Sequence, residues 1–263
     1  MFIDYEYIKI GMAAIIGLCL GSFYNVCIHR YVTGMSIAFP PSHCPKCDKR
    51  LGLLELIPVV SWVVLRGRCL GCRQEISWRY PVVEMISALW AIAIAVKFES
   101  LVFFIAYLLF GGMLIVLSFI DIDMYLLPDV ITIPGTFVSI ATATLLLNAS
   151  YQDSLGGALL GGGGLVAIIY AYKKLRGIDG MGLGDAKLLM MIGGMLGIQS
   201  LPIVVMSGSI FALAFYYFLA LKYSRVDCIG TLKIPFGPFL SLGAAMSILF
   251  GDAIWNWYLI NFF

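Results

Sequence analysis

Charge is what this chain has least of. Only 12% of its 263 residues are charged, 61% are hydrophobic, and mean hydropathy is +0.97. No soluble domain of this length has that balance. The N-terminus has no basic region and no small-residue cleavage site. It opens with Asp4 and Glu6, which argues against a secretory signal peptide and for a first apolar run that is retained. No G-x-G-x-x-G follows a strand pattern, which argues against a Rossmann nucleotide site. Histidine is scarce, with only His29 and His43. His29 follows a helix end and reads as interfacial; His43 precedes a cysteine and reads as a polar surface residue.

What is present is a series of apolar runs about 20 residues long, the length that crosses a bilayer as a helix. The fold class expected is an all-α polytopic membrane protein with eight spans, at 8–28, 80–97, 101–120, 130–148, 155–172, 186–199, 201–221 and 236–260. The sixth is short and Gly-rich. Basic residues test this topology, because they concentrate on the cytoplasmic side. With the N-terminus outside, segments 29–79, 173–187 and 222–235 are cytoplasmic, and of the 17 Lys and Arg only Lys9 and Lys97 fall outside. One missed helix would scramble that asymmetry.

The sizeable polar stretch, 29–79, holds Cys44-Pro45-Lys46-Cys47 and Cys69-Leu70-Gly71-Cys72, two C-x-x-C pairs separated by 21 residues. Four thiolates at this spacing fit a tetrahedral zinc site. About fifty residues make a poor hydrophobic core, so a metal staple is useful there. A cytoplasmic location disfavours structural disulfides. The competing reading is two redox pairs or unligated thiols. Four cysteines leave no open coordination position, so the zinc is expected to be structural. Cys19, Cys27 and Cys228 have no such partners and read as apolar packing.

Two aspartates stand at the ends of apolar runs. Asp121 lies in Phe119-Ile120-Asp121-Ile122-Asp123 and Asp185 in Gly182-Leu183-Gly184-Asp185-Ala186-Lys187. A carboxylate at the edge of hydrocarbon is costly and reads as functional. If the two meet across a bundle, one can activate water while the other stays protonated, which is aspartic protease chemistry. The competing reading is two unrelated helix-terminal aspartates. Asp121 lies deepest toward its apolar run, whereas Asp123 reads as solvated and Asp129 as a helix N-cap. Gly182 and Gly184 allow close backbone approach and positive φ. Lys187 is expected beside Asp185. Glu84, early in the second span, reads either as a functional acid or as a buried acid with a basic neighbour. Gly156, Gly157 and Gly161 to Gly164 lie in an apolar span without the Lys-Ser/Thr ending of a phosphate loop, and read as close helix packing.

Together these motifs resemble the type IV prepilin leader peptidases, bacterial membrane enzymes of the GxGD aspartic protease class. The resemblance runs over nearly the whole chain, in the family's order. It includes Gly21-Ser22-Phe23 through Arg30, both C-x-x-C pairs, Ile76 through Glu84, Asp121 through Asp129, Met181 through Leu188, and Ile234-Pro235-Phe236-Gly237-Pro238-Phe239. One departure is Pro40-Pro41-Ser42-His43, where an arginine is usual before the serine. The resemblance implies cleavage of the basic leader from prepilins and type II secretion pseudopilins, after a glycine at the cytoplasmic membrane face. It assigns catalysis to Asp121 and Asp185. It also implies N-methylation of the new N-terminal residue, usually Phe, with S-adenosyl-L-methionine as donor, since the cysteine-rich insert belongs to the bifunctional bacterial form; Glu84 is then the candidate methyltransfer or donor-binding residue. Basic leader residues would meet Asp121, Asp123, Asp129 or Asp179. The expected organisation is a first transmembrane helix (1–28), a tetracysteine zinc insert (29–79) and a seven-helix membrane peptidase domain (80–263). The expected location is the bacterial inner membrane, with prepilin segments and lipid as partners, no nucleic acid, and an oligomeric state the sequence leaves open. The alternatives are a peptidase with a purely structural insert, and a transporter or scaffold whose aspartates line an ion path.

Overall fold

The computed structural model describes residues 2–177, 182–223 and 234–262. Among these, regular structure is helical: α1 (Phe2–Thr33), α2 (Val60–Val64), α3 (Arg79–Lys97), α4 (Leu101–Met124), α5 (Asp129–Leu145), α6 (Tyr151–Arg176), α7 (Leu183–Leu196), α8 (Ser200–Tyr223) and α9 (Gly237–Phe262). All but α2 match the eight expected spans one for one. Six of them (α1, α3, α4, α6, α8 and α9) are long and apolar enough to cross a bilayer. The exceptions are α5, with 17 residues, and α7, with 14. At 1.5 Å per residue α7 spans about 21 Å, short of a hydrocarbon core about 30 Å thick. Its environment explains the tolerance: α5, α6, α8 and α9 all pack on it, and Leu188, Leu189, Met191, Ile192 and Met195 are buried. A helix surrounded by protein need not match the lipid.

The chain divides into two compact units, Met1–Val116 and Leu117–Phe263. In the first, α1 crosses α3 at very short range. A Cβ on Gly17 would meet Ala88 Cα and Ser87 O at 2.6 Å, and one on Gly21 would meet Glu84 Cα at 2.6 Å. Small residues let backbones approach in lipid, where packing rather than water expulsion drives association. Trp90 locks α3 to α4 by donating its indole N–H to Tyr107 O at 3.0 Å. The linker is tied to both helices. Arg30, buried near the end of α1, donates to Ser36 O (2.9 Å), Ile37 O (2.7 Å) and Pro40 O. Asn25 donates to Tyr80 O at 3.0 Å. Because residues 29–33 continue α1, the insert starts later than the expected 29.

In the second unit α6 and α7 interlock through glycine. A Cβ on Gly157 would meet Gly197 C at 2.8 Å, one on Gly193 would meet Gly157 C at 2.6 Å, and one on Gly161 would meet Leu189 O at 2.7 Å. The packing role expected of the glycine run holds for Gly156, Gly157, Gly161 and Gly162. Gly163 and Gly164 have nothing within 4 Å of an added Cβ, because they lie on the open face of α6.

Candidate active site and metal site

The two aspartates arrive on different helices, each next to a helix N-terminus. Asp121 occupies the last turn of α4, which ends where Tyr125 adopts a φ of 53° and returns its N–H to Asp121 O at 2.8 Å. The Asp121 side chain is 5% exposed. Its Oδ2 accepts the N–H of Gly237 at 3.0 Å. Gly237 is the first residue of α9, so this N–H is one that the helix itself cannot use. Asp185 is the third residue of α7, in the first turn, and is half-buried. Its neighbour Gly184 and the Gly237 that bonds Asp121 both lie against Leu127, which brings the two carboxylates into one region. The positive ends of two helix dipoles therefore face the carboxylate pair.

Leu127 fills the space beside the pair. A Cβ on Gly184 would meet Leu127 Cβ at 3.1 Å, and one on Gly237 would meet Asp121 Oδ2 at 2.7 Å and Leu127 Cδ2 at 3.4 Å. Both glycines supply room rather than unusual backbone. Gly182 caps α7 with φ −78°, and Gly184 is helical, so the positive φ anticipated for this segment is not used.

Two expected placements differ. Pro128, not Asp129, is the residue before α5, and Asp129 takes the first helical position. Lys187 reaches Asp129 Oδ1 at 2.6 Å, joining α7 to α5. At two residues beyond Asp185 it points to another face of the helix, as 3.6-residue periodicity requires. Asp123 is exposed. Asp179 and Cys228 lie outside the described residues.

The four cysteines converge. Their sulfur atoms all lie within 4.8 Å of one another. Cys44 Sγ is 3.8 Å from Cys72 Sγ, and Cys47 Sγ is 4.0 Å from Cys69 Sγ, far outside disulfide bonding. Two copies of one turn build the cluster, 25 residues apart. Cys44 N–H bonds Lys49 O and Asp48 N–H bonds Cys44 O; Cys69 N–H bonds Gln74 O and Arg73 N–H bonds Cys69 O. Asp48 and Arg73 hold equivalent positive φ values of 53° and 61°. Backbone N–H groups of Cys72 and Gly71 bring the Cys69 thiol down to about 7, while at Cys47 the Lys49 N–H is outweighed by burial and the neighbouring thiols, which push it up to about 11. His43 turns away and bonds Pro41 O through Nδ1 at 3.0 Å. Cys19 is exposed on α1 and so does not pack inside the protein; Cys27 is half-buried.

Glu84 is buried, and its partners are neutral donors: Val59 N–H at 2.7 Å and the Ser22 hydroxyl. Val59 has φ 60°, a costly conformation for a β-branched residue. Beside it lies a cavity of about 370 Å³, lined by Asn25, His29, Arg30, Trp62, Tyr80 and Glu84 among others, with Cys44 and Cys69 at its edge. The sequence motifs around Arg30 and Tyr80 flagged these segments, but not their convergence. Gly237 was also missed. The Pro238 that follows it is the available signal, since proline favours the first turn of a helix.

Residues 15–98 match the bacterial peptidase A24 N-terminal domain, and residues 108–217 match the type IV leader peptidase family. A prepilin leader peptidase/N-methyltransferase of Aeromonas hydrophila is 35% identical, covering 97% of this chain and 96% of its own length. Proteins of the same name in Aeromonas salmonicida and Pseudomonas putida are each 34% identical; both cover 96% of this chain, over 94% and 95% of their own lengths. No solved structure matches.

Proposed function

The chain belongs to the type IV leader peptidase family, and on that premise we propose that it cleaves prepilin and pseudopilin leaders and then N-methylates the exposed residue. The observation that supports the peptidase reading is that Asp121 accepts the N–H at the start of α9 while Asp185 stands in the first turn of α7, with Leu127 against both segments. One carboxylate, as base, takes a proton from water. The other, protonated, donates a hydrogen bond to the scissile carbonyl and stabilises the oxyanion as water adds. Two carboxylates that close on one another around a substrate share one proton, which supplies both forms at once. The site residues are therefore Asp121 and Asp185, with Gly184 and Gly237 giving them room, Gly182 opening α7, and Lys187 holding α7 to α5.

The Cys44, Cys47, Cys69 and Cys72 set fits zinc. Tetrahedral Zn–S bonds of about 2.3 Å place sulfurs about 3.8 Å apart, close to the separations of 3.8 and 4.0 Å found here. All four positions are taken by thiolate, so the ion would fasten the insert rather than act on substrate.

S-adenosyl-L-methionine supplies an electrophilic methyl group on a sulfonium. The cavity beside Glu84 has the size of a small-molecule site, and in Glu84 it offers a carboxylate to a cationic donor. We place the donor there, in the Met1–Val116 unit. The basic segments put the N-terminus outside and the insert on the cytoplasmic face of the inner membrane. Within the second unit, α6 ends in Lys173, Lys174 and Arg176, just ahead of the α7 start that carries Asp185, which supports a cytoplasmic dyad.

The test uses purified protein in nanodiscs, a prepilin bearing its leader, and labelled S-adenosyl-L-methionine, with products read by mass spectrometry. The expected product is shortened and one methyl heavier, and Asp121→Asn and Asp185→Asn leave the prepilin uncut. A shortened but unmethylated product would reduce the insert to a structural element. No cleavage of several prepilins would return the chain to the transporter or scaffold alternative.

A further inference from the structure

The insert turns its apolar side outward. Leu53 to Leu65 reads Leu-Leu-Glu-Leu-Ile-Pro-Val-Val-Ser-Trp-Val-Val-Leu. In α2 the residues at helical spacing i, i+3 and i+4, Val60, Val63 and Val64, are all exposed, Val64 to 72%. The opposite side of the same turn, Ser61, Trp62 and Leu65, lines the cavity. Just before α2, Leu53 is 87% and Leu54 80% exposed. A loop bathed in water would bury the valines and leucines and expose the serine. The inverted arrangement fits a segment whose outer medium is apolar.

The depth of α2 fits as well. Val59 is fastened to Glu84 by a 2.7 Å hydrogen bond, and Glu84 lies five residues beyond Arg79, where α3 starts. At 1.5 Å per residue that is about 7.5 Å along α3. The 19 residues of α3 span about 28 Å, nearly the whole hydrocarbon thickness. The start of α2 is thus held at the level reached by interfacial helices, which sink about 5–10 Å into the headgroup boundary.

We infer that Leu53–Val64 docks into the cytoplasmic leaflet, with the surrounding basic residues on anionic lipid headgroups. Charge selects this occupant. Residues 34–78 carry Lys46, Lys49, Arg50, Arg66, Arg68 and Arg73 against Asp48, Glu55 and Glu75. Arg66 and Arg68 follow α2 directly. Such a surface attracts phosphatidylglycerol-type headgroups and repels a basic leader. The choice of lipid over substrate rests on the leader chemistry proposed above; the inverted face and its depth do not.

The test places p-benzoyl-phenylalanine at Val64 in the full chain, in nanodiscs of phosphatidylcholine with phosphatidylglycerol, with and without prepilin. The same probe at Leu89, exposed on α3, is the lipid-facing reference. A monodisperse profile and a melting temperature equal to the parent's show that the labelled protein is folded. The expected result is a phospholipid adduct at Val64, comparable in yield with Leu89 and unchanged by prepilin. Arg66→Gln with Arg68→Gln should lower it in anionic nanodiscs, since each basic residue near such a surface favours docking about fivefold. Strong labelling at Leu89 with no lipid adduct at Val64 overturns the inference. A prepilin adduct that replaces the lipid adduct overturns the choice of partner. Because the lipid adduct needs no turnover, a failure of the peptidase or methyltransferase reading is seen separately.

Discussion

Gly237→Ala tests the dyad without touching either carboxylate. The added methyl carbon would sit 2.7 Å from Asp121 Oδ2 and 3.4 Å from Leu127 Cδ2. Carbon–oxygen contacts are comfortable from about 3.3 Å, so the carboxylate or α9 must yield by about 0.6 Å. Along the Gly237 N–H···Oδ2 bond, now 3.0 Å, that retreat leaves a separation of about 3.6 Å, which is no longer a hydrogen bond. A hydrogen bond to a charged group is worth about 1.5–3 kcal/mol. If that orientation is needed in the transition state, kcat for leader removal falls about 10- to 150-fold. KM should change little, because nothing at Gly237 is assigned to leader binding. The assay is quantitative cleavage of prepilin in nanodiscs over a range of substrate concentrations. Gly163→Ala is the control, since nothing lies within 4 Å of its added Cβ, and it should cleave like the parent. A Gly237→Ala enzyme with parental kcat would refute the argument that α9 holds Asp121 in its working position.

Further expectations concern the remaining parts of the molecule. Lys187→Met breaks the ion pair with Asp129, which is partly exposed on both sides, so it should lower stability by no more than about 1 kcal/mol in a denaturation series and spare cleavage chemistry. Purified protein should hold one zinc per chain by elemental analysis, and Cys44→Ser should lose it. Chelation should stop methylation of a pre-cut peptide before it stops leader cleavage, since Cys44 and Cys69 line the cavity proposed for the donor. Protons compete with zinc for the four thiolates, so zinc release to a chromophoric chelator should accelerate as pH falls; release independent of pH would contradict thiolate ligation. Glu84→Gln can still accept the Val59 N–H, so the insert stays fastened, and it should weaken S-adenosyl-L-methionine binding by about 10-fold through loss of charge, with leader cleavage intact and S-adenosylhomocysteine, which lacks the sulfonium, less affected. Unchanged binding would move the donor elsewhere.

Much of this was legible before any coordinates. Each of the eight apolar runs corresponds to a helix among the described residues, six of them long and apolar enough to cross a bilayer, because lipid admits few alternatives to a continuous helix. The paired C-x-x-C segments announced their cluster, since each short turn presents two thiols whatever surrounds it. Less legible were contacts between distant segments. Lys187 was expected at Asp185 and is found at Asp129. Half of the Gly161–Gly164 run packs and half does not, a distinction of helix face that composition hides. Asp129 was displaced from the N-cap position because Pro128, with its fixed φ, already ends the extended segment before α5.

The sequence by itself determined the membrane class, the run of apolar helices and the tetracysteine set, and it singled out the two aspartates proposed for catalysis. Each depends on composition or local spacing, and the energetics of hydrocarbon and of short turns act on neighbours in the chain. Only the tertiary structure decided that Gly237, 116 residues beyond Asp121, offers it a free helix N–H. Only it decided that Glu84 holds Val59 in a strained turn and that α2 faces outward. Those features come from helices packing at van der Waals distance, where a glycine or a single hydrogen bond sets which groups meet, and no periodicity in one segment encodes the face of another.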